Sequence, residues 1–296
     1  MAESHTETVC PDCKDTIFIF PGGRISKCKC DKEAEKRPVL PLPNVEPVSN
    51  LLSKPPMPVE WLVDNLFPAG YVFMIYSPEG VGKTVLSFNL AIAIASGTSF
   101  LGRKTHPGTV LYCDEENPDQ YTYDILTKMC RARKIDPQSL SETFLMGRFA
   151  LSGKKPEEWC SQLGRTIEIL RPALMVLDTF SSILPNIENV ENDNAIMKAY
   201  LRYLRIAKIA SPETAILILH HPPRNADRPR GAGAIGQDVD AYYSLKRPKG
   251  RPGKAGDKHT ILFPGKARRL AGVPTYRIRP KYGPEAFDLT GEIISP

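Results

Sequence analysis

From about Val59 onward, unbroken apolar runs alternate with segments of helical periodicity. Tyr71 to Tyr76, Thr109 to Cys113, Ala173 to Leu177 and Ala215 to Leu219 read as strands. Helices are predicted over 83–96, 119–133, 159–170 and 192–209. A strand that is apolar at every position is covered on both faces. Such strands alternating with helices predict an α/β fold, with a mainly parallel sheet and helices on both sides. Ahead of this region the pattern is different. Residues 33–58 are charged and then Pro-rich, with no apolar period, and read as a semi-extended linker. Residues 1–32 hold four clustered cysteines. The expected organisation is therefore a small module over 1–32, a linker over 33–58 and an α/β domain over 59–296.

In a parallel sheet, ligands bind beyond the carboxyl ends of the strands, and the polar signals of this chain fall there. The first strand runs into Ser77-Pro78-Glu79-Gly80-Val81-Gly82-Lys83-Thr84-Val85, at the start of a helix. A glycine-bearing turn from strand to helix gathers backbone N–H groups and the positive helix end around one concavity, which suits phosphate. Lys83 would reach the β and γ oxygens, and the Thr84 hydroxyl would ligate Mg²⁺. The phosphate-loop pattern opens on Gly where this chain has Ser77, a small residue that can also follow a tight turn. Asp178 ends an apolar strand and is placed to complete a Mg²⁺ shell beside Thr84. Asp114, Glu115 and Glu116 follow another strand. An acid there can polarise the water that attacks the γ-phosphate, and spacing leaves the choice among the three open. His220 and His221 end the last apolar run, where one could contact the γ-phosphate.

Charge adds a second partner. The net charge is +6, but residues 221–296 carry 15 Lys and Arg against 7 Asp and Glu, so the rest of the chain is slightly acidic. A basic, non-periodic loop over 222–233 includes Arg224, Arg228 and Arg230, and a second spans Lys246 to Lys254. Both suit a phosphate backbone.

These motifs, taken in order, resemble the RecA-like ATPases. They are Ser77–Thr84, Val110 to Tyr112 leading to Glu116-Asn117-Pro118, Val176 to Thr179, His220-His221-Pro222 and Arg230 to Ala234. More narrowly, the set resembles the hexameric replicative helicases of the RepA group, over about residues 59–280. The resemblance implies ATP as ligand, Glu116 as catalytic base, His221 as phosphate sensor and residues 222–233 as a DNA loop in a ring's channel. It also implies that Lys266 and Arg268 reach the nucleotide of the next subunit. The expected function is a Mg-ATP-driven motor on single-stranded DNA, a ring-forming helicase and so a homo-oligomer. The alternative is a nucleotide-gated DNA-binding or recombination-mediator ATPase without unwinding activity. A small-molecule kinase is the weaker third reading, because no acceptor pocket is evident and the basic loops would go unexplained.

Cys10-x-x-Cys13 and Cys28-x-Cys30 flank the hairpin-like stretch Ile17 to Ile25. Four thiolates on two knuckles predict a tetrahedral Zn²⁺ site, whose binding would fold a segment too small for its own core. Such a module could engage a replication or recombination protein. The other three of the seven cysteines are scattered and read as core. No apolar run has membrane-spanning length, the first residues are polar, and the cysteine count is odd. These features predict a cytoplasmic, reducing setting and no membrane partner.

Overall fold

The computed structural model describes residues 6–9, 16–20, 24–25, 47–55, 58–149, 154–184, 194–221, 238–248, 259–267 and 273–295. The chain divides into two units, Met1–Pro58 and Val59–Pro296. In the first, β1 (Thr6–Val9), β2 (Thr16–Phe20) and β3 (Arg24–Ile25) form an antiparallel sheet in that order, with Ile19 opposite both Thr6 and Ile25. Helix α1 (Val48–Ser53) follows. Cys10, Cys13, Cys28 and Cys30 lie outside the described residues, so the expected zinc site does too.

In the second unit, β4 (Trp61–Val63) and β5 (Phe67–Pro68) make a short ribbon. The chain then builds β6 (Val72–Tyr76), α2 (Lys83–Ser96), β7 (Val110–Asp114), α3 (Asp119–Arg133), β8 (Phe144–Gly147), α4 (Pro156–Leu170) and β9 (Leu174–Asp178). There follow α5 (Phe180–Ile183), α6 (Asn194–Ala207), β10 (Ala215–His220), β11 (Ala241–Lys246), β12 (Thr260–Ala267), β13 (Thr275–Gly283) and β14 (Ala286–Ser295). Nine strands form one sheet in the order β14-β13-β12-β11-β6-β10-β9-β7-β8. Pairing is parallel from β11 through β8 and antiparallel from β11 to β14.

The unbroken apolar strands feed two cores, one on each face. Phe73, Ile75, Leu217, Leu219, Leu174, Val176, Val110 and Tyr112 pack with α2 and α3. Their alternates Val72, Met74, Ile216, Ile218, Met175, Leu177, Leu111 and Cys113 pack with α4 and α6. The two pairs of helices differ accordingly. Trp159, Leu163 and Ile167 of α4, with Met197, Tyr200, Leu201 and Leu204 of α6, form single buried stripes at intervals of three and four residues. By contrast, α2 is buried at every position from Leu86 to Ala95, because α3 and the β13–β14 hairpin enclose the side turned away from the sheet.

A polar cluster pins that hairpin. The Arg133 guanidinium, only 7% exposed, donates to Asn89 Oδ1 (2.9 Å), Thr98 Oγ1 (2.8 Å) and Asp288 Oδ1 (3.2 Å from Nε). Asn89 Nδ2 donates to the same Asp288 oxygen at 2.6 Å. Each buried polar group therefore has a partner, as its removal from water requires. Among the described residues no helix is long and apolar enough to cross a membrane.

Candidate active site

Strand register assembles the site. His220 lies opposite Tyr76, and Asp114 opposite Asp178, so the carboxyl ends of β6, β10, β9 and β7 open on one edge of the sheet. The segment Ser77 to Gly82 joins β6 to α2 there. Gly80 and Gly82 have φ of 70° and 107°, a region that residues with a Cβ avoid. Ser77 is not among the residues with positive φ, which is why a side chain is tolerated at the loop's first position. Its N–H donates to His220 O at 3.2 Å, rooting the loop on the neighbouring strand.

Lys83 is the first residue of α2 and is buried. Its Nζ donates to Ser77 O at 2.8 Å and stands 3.3 Å from His221 Nδ1. Burial lowers the lysine pKa, while the charges of Asp178, Glu116 and Glu79 act against that shift. An ammonium group only donates, so its contact suits an unprotonated Nδ1. The other ring nitrogen, Nε2, faces Glu116 Oε2 at 3.9 Å. Lys83, His221 and Glu116 thus form one chain of contacts at the strand ends.

Geometry also separates the three acids that spacing left equivalent. Asp114 is buried and committed to the loop: Oδ1 accepts from the Asn117 backbone and side chain, both at 2.9 Å, and Oδ2 accepts from Thr122 Oγ1 at 3.0 Å. Glu115 Oε1 accepts from the Phe149 N–H. Glu116 is 45% exposed and faces His221. The His221 ring holds the Glu116 carboxyl below its ordinary pKa, helped by Thr179 and Lys83 and opposed by partial burial, so it is ionised at neutral pH.

Asp178 is fully buried at the tip of β9. Its Oδ2 accepts from Tyr112 Oη at 2.7 Å, whereas Oδ1 has no hydrogen-bond partner. Burial pushes its pKa up to about 6, Tyr112 and Thr84 hold it down, and the charges of Asp114 and Glu116 raise it. A buried carboxylate oxygen without a donor, beside a threonine hydroxyl, is the oxygen donor set that Mg²⁺ accepts. The residues present therefore fit the metal.

Tyr112 was not singled out from the sequence. As one aromatic residue in an apolar strand, it carries no signal of a polar role. Its hydroxyl donates to Asp178 and therefore accepts from Ser87 Oγ (2.6 Å), whose single proton is shared with the Thr84 carbonyl 2.9 Å away. The network ties the acid of β9 to the first turn of α2.

The structure brings together Ser77–Val85, Glu116, Asp178 and His221. His220, buried, lies edge-on to the Phe180 ring. Arg224, Arg228, Arg230 and Arg268 lie outside the described residues. The backbone of Lys266 is in β12 opposite Tyr242. Next to it, a Cβ on Gly265 would sit 1.9 Å from the Tyr242 ring, so that position takes no side chain without displacing the ring. Cys113, Cys130 and Cys160 are buried free thiols, as expected of core residues. Among the described residues no cluster of three or more His, Cys, Asp and Glu is placed to hold a metal.

A family model described as an AAA domain matches residues 36–227. Among solved structures, a KaiC-like protein from the hyperthermophilic archaeon Pyrococcus horikoshii aligns with a TM-score of 0.54 at 14% identity, over 78% of this chain and 99% of that one. The flagellar accessory protein FlaH from Methanocaldococcus jannaschii gives 0.52 at 14%, over 76% and 91%. A RadB recombinase gives 0.50 at 18%, over 74% and 90%. At these identities the likeness establishes the fold alone, and together with the family match it supports a RecA-like α/β P-loop fold.

The Tyr112 bond has a measurable consequence. Tyr112→Phe leaves a buried carboxylate oxygen without its best donor, which costs about 1–3 kcal/mol. Urea unfolding of the two proteins should show a loss of that size, and equal midpoints would mean that the bond contributes nothing.

Proposed function

Because the chain belongs to the AAA domain family, we propose that its RecA-like ATPase fold drives a motor on single-stranded DNA, a ring-forming helicase of the replicative type. One observation carries the ATPase chemistry. Lys83, His221 and Glu116 converge beside a buried carboxylate whose Oδ1 is unpartnered.

In this reading the phosphates lie on the N–H groups of residues 77–85, and Lys83 exchanges the Ser77 carbonyl for β and γ oxygens. Glu116, ionised and half-exposed, takes a proton from the attacking water. His221 touches both groups, so displacement of Lys83 toward phosphate is felt at Glu116 and at the chain after residue 221. The chemistry supplied by bound Mg²⁺ is neutralisation of charge on the terminal phosphates, and Thr84 and Asp178 would hold it. Lys266 and Arg268 are assigned to the nucleotide of an adjoining subunit, and Arg224, Arg228 and Arg230 to the DNA backbone. Both assignments rest on the resemblance and on the basic charge of residues 221–296. The likeness to a recombinase keeps a DNA-bound ATPase without unwinding as the second reading.

Lys83→Ala should abolish hydrolysis and weaken nucleotide binding. Glu116→Gln should bind ATP normally and turn over about 10²–10⁴-fold more slowly, the usual contribution of a general base. Hydrolysis at the wild-type rate would place the base elsewhere. Mixing Glu116→Gln with Arg268→Ala subunits should restore part of the activity, since mixed interfaces then contain complete sites. No recovery in proven mixed oligomers would put Arg268 in its own subunit's site.

Single-stranded DNA should stimulate hydrolysis, and a forked duplex should be separated. Stimulation without strand separation selects the binding protein over the motor. Affinity should fall with salt, and replacing Arg224, Arg228 and Arg230 by Ala should reduce the slope of log K against log salt by roughly 1 per charge. An unchanged slope moves the DNA site away from residues 222–233.

The paired cysteine knuckles support one zinc per chain on Cys10, Cys13, Cys28 and Cys30. Elemental analysis should find it, with loss on Cys→Ser change at any of the four. Zinc-free protein removes the module.

A further inference from the structure

One cation beside the phosphate loop has no part in the chemistry above. Arg247 directly follows β11, and its Nη2 donates to Gly80 O at 2.6 Å. Topology explains the contact. β11 runs parallel to β6 with Ser244 opposite Tyr76, so the two chains leave the sheet side by side. Three residues beyond Ser244, the Arg247 side chain reaches the loop four residues beyond Tyr76.

The rest of the loop's anchorage is at its root, where Ser77 N–H meets His220 O and Lys83 Nζ meets Ser77 O. Gly80, at the crest, is exposed, and a Cβ added there would meet nothing. Arg247 therefore steadies the part of the loop that packing does not. It does so with a full positive charge that has no carboxylate partner among the described residues. The same loop already carries Lys83 and the positive end of α2, with Glu79 as its own acid. Adding a further cation is unfavourable unless an anion of several charges joins it. A guanidinium has five N–H donors, and the bond to Gly80 uses one of them.

We propose that Arg247 is a second, same-subunit cation of the nucleotide site, which holds the crest of the phosphate loop and strengthens binding of a nucleoside polyphosphate. Sequence alone groups it with the basic run Lys246 to Lys254 as a DNA contact. Its role differs from that of Lys266 and Arg268, which are assigned across a subunit interface. The inference rests on the ATP reading of this loop and deepens it.

The test uses the full chain and a fluorescent ATP analogue, with Lys83→Ala as the control. Arg247→Ala should weaken analogue binding roughly tenfold, the scale of one charge-assisted hydrogen bond. The loss should be greater for the triphosphate than for the diphosphate. The value of kcat at saturating ATP should change far less than KM, and Tm without nucleotide should not move, because the side chain is exposed. Arg247→Lys should recover part of the affinity. Wild-type affinity in Arg247→Ala, with DNA affinity reduced instead, overturns the proposal in favour of the DNA contact. A fall in nucleotide-free Tm together with kcat overturns it in favour of a structural role. Failure of the wild-type protein itself to bind the analogue sinks the ATP reading, and this inference with it.

Discussion

The carboxylate of Asp178 is withdrawn from water between two strands that must both be in place before it can be held. Burial alone favours its neutral form, and its pKa of about 6 reflects that pressure. Tyr112, on the neighbouring β7, supplies the hydroxyl that keeps one oxygen satisfied. The same hydroxyl accepts from Ser87, whose single proton is shared with the carbonyl of Thr84. The acid, the loop and the first turn of α2 are thereby fixed to one another by neutral donors. The oxygen left unpartnered is a cost that a cation, a proton or a further hydrogen-bond donor relieves. Stability and function are in opposition at this atom, as is common at sites prepared for a ligand.

The outer elements serve that arrangement. Because α2 carries the loop at its N-terminus, any slack in the helix would reach the phosphates. The β13–β14 hairpin removes the slack from outside, through Arg133, Asn89 and Asp288. On the other face α4 and α6 support β9 and β10 with single apolar stripes. The sheet is thus backed on both sides where its polar ends converge.

Much of this was legible in the chain. The apolar runs over 71–76, 109–113, 173–177 and 215–219 became four central strands, since residues buried on both faces leave an unmistakable record. Helices over 83–96 and 119–133 appear with those bounds. Strand β8 was not read: it has four residues, contains Gly147 and sits at an edge, where one side needs no apolar cover. The last two strands are half polar, because the hairpin packs inward on one face only. At the site, spacing places the loop and Asp178 at strand ends, where the structure has them, but does not rank Asp114, Glu115 and Glu116. Their difference lies in what each carboxylate touches, Thr122, Phe149 or His221, and those partners are distant in sequence. Tyr112 and Arg247 were hidden for the same reason.

The placement of β10 has a consequence for how the molecule comes into being. β10 lies between β6 and β9, although it is made after both. A nascent chain that has emerged as far as residue 184 already contains the phosphate loop, the three acids and Asp178. It nevertheless lacks the strand that spaces β6 from β9 and accepts the Ser77 N–H. The nucleotide site is therefore completed late, when β10, which begins 37 residues after the end of β9, enters between β6 and β9. A chain that stops between α6 and β10 keeps the phosphate loop, the three acids and Asp178, but it lacks His221 and the strand on which the loop is rooted.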